Sequence, residues 1–368
     1  MLGNYNYLFK DYKLLSLLKL TDGEISADIL HQLEEIRKSI TAPAWIGPYV
    51  GGNTQSLVTR FLECPFRFYL YAILGIEENE ELHPNLIWGD ILHKGLEHYL
   101  HPTCSHQTAV EHMKAYAAEK YPRAPSTYDH STSQMLKLYN RSFVESNGLV
   151  DHLETEKEFV IEDVVNGETV LYRGKADVYN KPCRFGGEHK CKGKIDPPQS
   201  RAESPVDTQV LLYSHALNIR HWVYDIIRIP EAQFMVPPKR TGETAQIYIQ
   251  RLFHSQVGQE YPISRHPYAW LNQFSFDVTK PQIDTFLEYT WRPLTRKMIA
   301  WWNHVTHPSF SLLDPNCYNE NFYITPIRHF DPSNTERFKC KYWSLLTGNT
   351  EVDSLVPVTG FYNELETA

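Results

Sequence analysis

The chain has 368 residues, of which 42% are hydrophobic, 22% are charged and 13% are aromatic. This composition excludes a disordered, collagen-like or coiled-coil protein, and the length allows one large domain or two modest ones, with enough apolar residues for a hydrophobic core. The formal net charge of −8 excludes a uniformly basic nucleic-acid-binding surface, so any contact with DNA or RNA requires a local basic patch.

The first 150 residues have the periodicity of helices. Helices are predicted as two segments within 8–40, an aromatic-rich segment over 56–70, and further segments over 84–100, 107–120 and 132–147. A Pro- and Gly-containing link over 43–52 follows the first pair, and an acidic run over 77–81 is expected to be a solvated loop. The N-terminal part is therefore predicted to be largely helical.

The periodicity then changes to the alternation that is typical of strands. Strands are predicted over 157–163, 169–179, 184–191, 222–229 and 246–253. Asn166-Gly167 predicts a tight hairpin turn between the first two strands. A polar loop over 192–203 leads to a helix with Ser204 as its N-cap that runs to about Asn218, and a long amphipathic helix is predicted over 281–305. This order predicts an α/β fold with a mixed central sheet flanked by helices.

The cysteines and the N-terminus indicate the compartment. Six cysteines are spread along the chain without a Cys-x-x-Cys pair, which argues against a disulfide scaffold and fits a reducing compartment. The first residues lack the basic and apolar segments of a signal peptide, and no apolar run approaches the roughly 18 residues of a membrane span. A soluble protein of the cytoplasm, without a membrane partner, is expected.

Charged residues mark two successive strands. Alternation places Arg173, Lys175 and Asp177 on one face of the second strand, and Glu188 and Lys190 on one face of the third. A turn between these strands would bring Asp177 and Glu188 together, and two close carboxylates repel each other unless a cation lies between them. A divalent metal with oxygen ligands satisfies such a pair. The alternative is an exposed hairpin with an ordinary salt bridge.

The same region is a basic patch in an acidic chain. Residues 173–194 contain seven Lys or Arg and two acidic residues, which gives a local net charge of +5. Such a patch favours phosphate binding, although solvated surface cations are the alternative reading. Two helical pairs accompany it, because His93 and Glu97, and also Gln209 and Tyr213, lie four residues apart and share a helix face.

Taken together, these motifs resemble the RecB-like branch of the PD-(D/E)xK nuclease superfamily. The resemblance covers roughly residues 53–305 and continues through Trp222 to Pro230 in the manner of phage-encoded members. In chain order, the motifs that carry it are Cys64-Pro65-Phe66-Arg67-Phe68-Tyr69-Leu70, Gly89 with His93, Gly174-Lys175-Ala176-Asp177, Glu188-His189-Lys190 and Gln209-x-x-x-Tyr213.

The resemblance implies a role for each matched residue. His93, Asp177 and Glu188 would be metal ligands together with the backbone carbonyl of His189, and Lys190 would be the catalytic lysine beside the two carboxylates. Further residues would bind the nucleic acid or orient the site, namely Gln209, Tyr213, Lys175, Arg173 and Lys192.

The resemblance also implies the cofactor. Mg²⁺ is expected, with Mn²⁺ as an effective substitute because a histidine joins the oxygen ligands. Some relatives hold an iron–sulphur cluster with one early cysteine and three clustered near the C-terminus. Here Cys64 has the early position, but only Cys317 and Cys340 lie near the C-terminus, 23 residues apart, so no iron–sulphur cluster is expected.

The expected fold is a restriction-endonuclease-like core with additions at both ends. The predicted parts are a helical N-terminal extension (1–52), a nuclease domain (53–306) with a helical part (53–150), a sheet core (155–255) and a long helix (281–305), and a loop-rich C-terminal segment with an acidic tail (307–368).

The leading hypothesis is a metal-dependent DNA nuclease, specifically an exonuclease of phage or bacterial DNA replication, recombination or repair. DNA is the expected partner, together with replication or recombination proteins. Two alternatives stay open: a nuclease-fold protein that binds DNA or another protein without cutting, and a PD-(D/E)xK endonuclease. Polarity, strand preference and oligomeric state stay open as well.

Overall fold

The computed structural model describes residues 27–63, 65–77, 84–139, 141–148, 152–193, 195–229, 244, 271–313 and 356–357. Several predictions made above concern residues outside this set, namely the first N-terminal helix, most of the acidic run over 77–81, the strand over 246–253, Cys64, Cys317, Cys340 and nearly all of the C-terminal segment.

The described helices are α1 (Ala27–Ser39), α2 (Gln55–Glu63), α3 (Pro65–Ala72), α4 (Pro84–Tyr99), α5 (His106–Lys120), α6 (Ser126–Leu138), α7 (Arg141–Gly148), α8 (Pro197–Glu203), α9 (Thr208–Ala216), α10 (Lys280–Phe286) and α11 (Arg292–Val305). The described strands are β1 (Ile76–Glu77), β2 (Glu154–Val165), β3 (Glu168–Asn180), β4 (Phe185–Lys192), β5 (His221–Arg228), β6 (Leu271–Asp277) and β7 (Val356–Pro357). No described helix combines the length and the apolarity needed to cross a membrane.

Five strands form a mixed sheet in the order β2-β3-β4-β5-β6. β3 and β4 pair antiparallel, β4 and β5 pair parallel through the connection that contains α8 and α9, and β5 and β6 pair antiparallel. The separate strands β1 and β7 form an antiparallel pair of their own. The α/β fold with a mixed sheet and surrounding helices, which the sequence predicted, is confirmed.

The β2–β3 hairpin turns at the predicted dipeptide. Asn166 and Gly167 both have positive φ, at 55° and 83°. This is the backbone conformation of the two-residue turns that match the twist of antiparallel strands, and it explains why Asn-Gly occupies these positions. The hairpin prediction is confirmed.

Several element boundaries differ from the prediction. The segment over 56–70 is divided into α2 and α3, and the segment over 132–147 begins earlier and is divided into α6 and α7. The region predicted as a loop over 192–203 contains α8, and β6 was not predicted. The long helix over 281–305 is interrupted by a π-helical turn at Leu287–Trp291.

The N-cap predicted at Ser204 is wrong. Ser204–Val206 forms a 3₁₀ turn, and the Ser204 hydroxyl donates to the carbonyl of Ser200 at 2.7 Å, at the end of α8. Asp207 caps α9 instead, because its Oδ1 accepts hydrogen bonds from the backbone N–H groups of Gln209 (2.7 Å) and Val210 (3.4 Å). The cap fixes the start of α9 and therefore the position of Gln209 in the first turn of this helix.

Contacts between Cα atoms divide the chain into two compact units. Unit 1 comprises residues 1–80, 160–173 and 287–368, and unit 2 comprises residues 81–159 and 174–286. The domain boundaries that the sequence suggested, after residues 52 and 306, stay a prediction.

The core of unit 2 surrounds α4. Its apolar side chains Trp88, Ile91, Leu92 and Leu96 are fully buried and belong to one cluster with residues of α5, α6 and the sheet. Apolar burial of this kind is the main stabilising contribution to a helix that would be marginal alone. It holds in place the helix that carries His93.

The core of unit 1 is aromatic. Phe68 packs edge-on against Trp45 (5.6 Å between ring centroids) and Phe61 (5.7 Å), and it packs against Trp301 at 5.0 Å. Ring pairs at these separations and angles add to the stabilisation that burial provides.

Unit 1 also contains a hydrogen-bonded ion pair. Arg292 donates from Nε to Asp163 Oδ2 at 2.9 Å and from Nη2 to Oδ1 at 3.0 Å, and the Tyr172 hydroxyl donates to Oδ2 at 3.0 Å. Burial opposes the charged form of Asp163, but the hydrogen bonds from Arg292 and Tyr172 outweigh it and lower the pKa of this carboxyl group. Asp163 is therefore a stabilised anion.

Candidate active site

The antiparallel pair β3–β4 brings Asp177 and Glu188 together. Val178 pairs with Gly187 in the antiparallel register, and Asp177 precedes Val178 on β3 as Glu188 follows Gly187 on β4. Asp177 Oδ2 accepts a hydrogen bond from the backbone N–H of His189 at 2.8 Å. The side chain of Asp177 is 14% exposed and that of Glu188 is 3% exposed. The convergence that strand alternation predicted is present in the structure.

Glu188, Lys190 and Gln209 form a closed ring of polar contacts. Lys190 Nζ lies 2.5 Å from Glu188 Oε1 and donates to Gln209 Oε1 at 2.7 Å. Gln209 Nε2 lies 3.0 Å from both carboxylate oxygens of Glu188. Both ends of the Gln209 amide are thus used, and this residue at the start of α9 connects the helix to the charged end of β4.

The electrostatics of this ring are dominated by burial and by the second carboxylate. Burial and the nearby charge of Asp177 raise the pKa of Glu188 above its ordinary value, although Lys190 and His189 oppose the shift. Burial disfavours the cation of Lys190, but Glu188 and Asp177 outweigh that cost and raise the pKa of Lys190. The two close carboxylates are a donor pair that a cation would stabilise.

His93 reaches the site from α4. Its Nδ1 lies 3.9 Å from Asp177 Oδ2, and its side chain is 31% exposed. Burial and the positive neighbours His189 and Lys190 lower the pKa of His93, and they outweigh the opposite effect of Asp177. A neutral imidazole offers a lone pair to a metal. Glu97, which shares its helix face, pairs instead with Lys94 at 2.7 Å.

Tyr213 packs directly over the glycine of the Gly-Lys-Ala-Asp motif. Its ring lies 5.0 Å from that of Phe159, edge to face. A Cβ at Gly174 would lie 2.7 Å from Tyr213 Cε1 and 2.6 Å from Phe159 Cζ, which is closer than side chains tolerate. Glycine at this position allows the two aromatic rings to pack on β3. Burial and then the charge of Glu188 raise the pKa of Tyr213, so its hydroxyl is neutral.

The three other basic residues of the predicted site differ in their surroundings. Lys175 forms an ion pair with Glu156. Lys192 is exposed at the end of β4. Arg173 belongs to unit 1, where its Nη2 donates to the carbonyl of Val50 at 2.8 Å. The structure therefore brings His93, Asp177, Glu188, His189, Lys190, Gln209 and Tyr213 together within unit 2 and describes Arg173 with unit 1.

The donor set has the chemistry of a divalent metal site. Asp177 and Glu188 supply carboxylate oxygens, and His93 supplies a neutral nitrogen. In the part of the chain that the structure describes, no three His, Cys, Asp or Glu side chains are gathered closely enough to hold a metal as they stand. Both oxygens of Glu188 are engaged by Gln209, and one of them also by Lys190. The residue types fit a hard divalent cation.

A buried polar network next to these residues was not predicted from the sequence. Asp225 accepts hydrogen bonds from the hydroxyl of Tyr139 (2.5 Å), from Nδ1 of His189 (2.9 Å) and from Nε2 of Gln273 (3.0 Å). A signal for it is present, because Asp225 is a charged residue inside the apolar run of β5. Ionisable side chains are rarely fully buried unless they are paired, so such a residue in an apolar strand indicates a buried polar network.

A comparison with known proteins finds that part of the chain is similar to a known family. Residues 54–222 match the family model described as PD-(D/E)XK nuclease superfamily. No curated protein matches the chain in sequence. A solved structure titled "Crystal structure of SSO0001" is 16% identical over 58% of this chain and 85% of that chain, with a TM-score of 0.26. The similarity of residues 54–222 to the PD-(D/E)XK nuclease superfamily suggests nuclease activity.

Proposed function

We propose that this protein is a metal-dependent DNA nuclease, and that it acts as an exonuclease. The observation that carries the proposal is the juxtaposition of Asp177, Glu188 and Lys190 on β3 and β4, inside the stretch that matches the nuclease superfamily. Two carboxylates can hold a divalent metal that polarises the scissile phosphate, and a lysine beside them supplies further positive charge.

His93, Asp177 and Glu188, with the backbone carbonyl of His189, are the groups that would hold the metal. When bound, Mg²⁺ or Mn²⁺ supplies positive charge that polarises the scissile phosphate and lowers the pKa of a water molecule. Lys190 orients the attacking water or stabilises the charge that develops on the phosphate, since its amine is cationic and lies beside the carboxylates.

Gln209 and Tyr213 support this arrangement from α9. Gln209 holds Lys190 and Glu188 in a fixed mutual geometry through its amide. Tyr213 packs over Gly174 and ties the helix to the strand that carries Asp177. Misplacement of reacting groups by a fraction of an ångström is costly in catalysis, so these contacts matter for the rate as well as for stability.

We further propose that DNA is bound by basic residues, with Lys175 and Lys192 in unit 2 and Arg173 in unit 1. Lys175, Arg173 and Lys192 are the proposed contacts to the phosphate backbone, and such contacts are salt-dependent because counterions are released. The biological setting that we propose is DNA replication, recombination or repair in a phage or its bacterial host, in the cytoplasm and with proteins of those processes as further partners. We propose no iron–sulphur cluster.

The test is a time course on end-labelled linear DNA, both single- and double-stranded, beside a closed circle. Each substrate is incubated with Mg²⁺, with Mn²⁺ and with EDTA. Lys190→Ala is the test variant, and Lys280→Ala is the matched control because Lys280 is an exposed lysine paired with Asp284. Metal-dependent shortening of linear DNA is expected, reduced on the order of 10²–10³-fold by Lys190→Ala and unaffected by the control.

Other results would replace the proposal. Discrete fragments from the closed circle would indicate an endonuclease. DNA binding that persists in EDTA, without products under any metal condition, would indicate a nuclease-fold protein that binds DNA without cutting it.

A further inference from the structure

Asp225 is a fully buried carboxylate in strand β5 of unit 2, outside the stretch that matches the nuclease superfamily. Its three hydrogen-bond donors come from three different elements: Tyr139 directly after α6, His189 in β4, and Gln273 in β6. The parallel pairing of β4 and β5 sets His189 directly beside Asp225. The carboxylate therefore joins neighbouring strands and a helix end at one point.

Stability alone does not explain a carboxylate here. Removing an ion or a polar group from water is costly, and replacing a whole buried polar network by apolar side chains of similar size is often neutral or stabilising. Other positions of β5 bury apolar side chains completely, namely Val223, Ile226 and Ile227. The buried carboxylate is better explained by the precise placement of the groups that contact it.

The residue that Asp225 orients is the one between Glu188 and Lys190. Apart from Asp225, no hydrogen-bond partner of the His189 side chain is found among the described residues, and Nε2 is buried without one. The rings of Tyr139 and His93 pack against it at 5.7 Å and 5.9 Å between centroids. The hydrogen bond to Asp225 thus decides how the imidazole is turned.

His189 is also connected to the site through its backbone. Its N–H donates to Asp177 Oδ2 at 2.8 Å, its carbonyl is the proposed further metal ligand, and its two chain neighbours are Glu188 and Lys190. A shift of His189 would therefore move the donor to Asp177, the carbonyl and both flanking side chains at once.

We propose that Asp225 is a positioning residue, which through His189 holds the segment Glu188-His189-Lys190 and Asp177 in the geometry needed to bind the metal. This inference rests on the proposed function, because it concerns the same site. Groups that orient metal ligands through a hydrogen bond commonly change metal affinity or activity by about 10–100-fold when they are removed.

The experiment measures Mn²⁺ binding to the full chain by isothermal titration calorimetry, together with thermal unfolding. Asp225→Asn keeps the size of the side chain but replaces one acceptor oxygen by a donor. The matched control is Asp163→Asn, because Asp163 also accepts from a tyrosine and from a cationic side chain, in unit 1. We expect Asp225→Asn to weaken the Kd for Mn²⁺ by about 10–100-fold, whereas Asp163→Asn lowers the Tm and leaves that Kd unchanged.

Tyr139→Phe provides a second variant in case Asp225→Asn does not fold. It removes only the hydroxyl that donates to Asp225 and leaves the contact between Asp225 and His189 in place. We expect a smaller weakening of Mn²⁺ binding than in Asp225→Asn, and a fall in kcat for DNA with an unchanged KM. A purely structural role would lower the Tm and leave both the Kd and kcat unchanged.

The outcomes separate this inference from the proposed function. Folded Asp225→Asn or Tyr139→Phe protein with the wild-type Kd for Mn²⁺ overturns the inference, even when the wild-type protein cuts DNA. A wild-type protein that binds Mn²⁺ but cuts no DNA overturns the proposed function, and a weaker Kd in the variants then still supports the positioning role. A wild-type protein that binds no Mn²⁺ overturns the inference.

Discussion

Two carboxylates, one in each unit, have opposite electrostatic surroundings. Asp163 in unit 1 accepts two hydrogen bonds from Arg292 and one from Tyr172, and its pKa is lowered. Glu188 in unit 2 is nearly completely buried next to a second carboxylate, Asp177, and its pKa is raised although Lys190 is in contact with it. An ion pair is present in both places, but only in unit 1 does the folded protein favour the charged form.

The difference separates a structural ion pair from a site arranged for a ligand. The donors around Asp163 satisfy its charge without any further group. Around Glu188 the folded protein holds like charges together, an arrangement that costs stability and is common where a substrate or cation is to be bound. Each of the following experiments would sharpen this comparison or break it, beginning with the largest expected effect.

Glu188→Gln should separate activity from stability. The substitution removes a charge that the metal and the reaction need, so we expect DNA cleavage to fall on the order of 10²–10³-fold. The Tm of the metal-free protein should fall only slightly, because the folded state already disfavours the anion and the loss is limited to one acceptor for Gln209 and Lys190. Cleavage assays and thermal unfolding of the metal-free protein check both statements, and a marked loss of Tm would show that the charge of Glu188 is structural.

Mn²⁺ binding should become tighter as the pH rises. The metal binds the ionised carboxylate, and the raised pKa of Glu188 means that a proton must leave before it binds. The apparent affinity should therefore rise up to about tenfold per pH unit below that pKa and then level off. Calorimetry from about pH 5 to about pH 9 measures the slope. In Glu188→Gln the slope should be smaller, and an equal slope would assign the proton to another group.

The same pKa shift predicts how the metal-free protein responds to pH. The folded-state pKa of Glu188 lies above its ordinary value of 4.5, so the protonated form is favoured by folding. Its contribution to stability is complete below that ordinary value and is lost as the pH rises through the folded-state pKa. The difference in Tm between the wild-type protein and Glu188→Gln should therefore change with pH over this interval.

Asp163→Asn should have the smallest effect and the opposite pH dependence. Because Arg292 is partly exposed, we expect a loss of about 1–2 kcal/mol in the free energy of unfolding at neutral pH. The pKa of Asp163 is lowered, so this stabilisation is present above the ordinary value of 3.8 and is lost as the pH falls through the folded-state pKa. Urea unfolding of the variant and the wild-type protein at neutral and acidic pH should show the two stabilities converging in acid.

Part of the arrangement that the sequence predicted depends only on local geometry. Strand alternation places Glu188 and Lys190 on one face, and helical spacing brings Gln209 and Tyr213 onto one face of α9. The turn at Asn166-Gly167 depends only on backbone conformations that these two residues favour. Such features follow from the repeat of strands and helices and from the backbone preferences of single residues, so they require no knowledge of the remaining fold.

The features that the sequence did not predict depend on pairing between distant segments or on local competition. The contact between His189 and Asp225 joins residues 36 positions apart and requires the parallel register of β4 and β5. The N-cap of α9 was misplaced because Ser204 and Asp207 both qualify by type, and the structure uses Ser204 at the end of α8. Alternation put Arg173 on the face of Asp177 but gave no indication of its contact with Val50.

The hydrogen bond between the His189 amide and Asp177 has a consequence for measurements of hydrogen exchange. Most amides of a central strand are protected by the neighbouring strand and exchange only when the sheet opens. The His189 amide is held by a carboxylate side chain, which can turn without any change in the sheet. Its exchange rate should therefore follow the orientation of Asp177, so that this single backbone proton reports whether the carboxylate faces the strand or a bound cation.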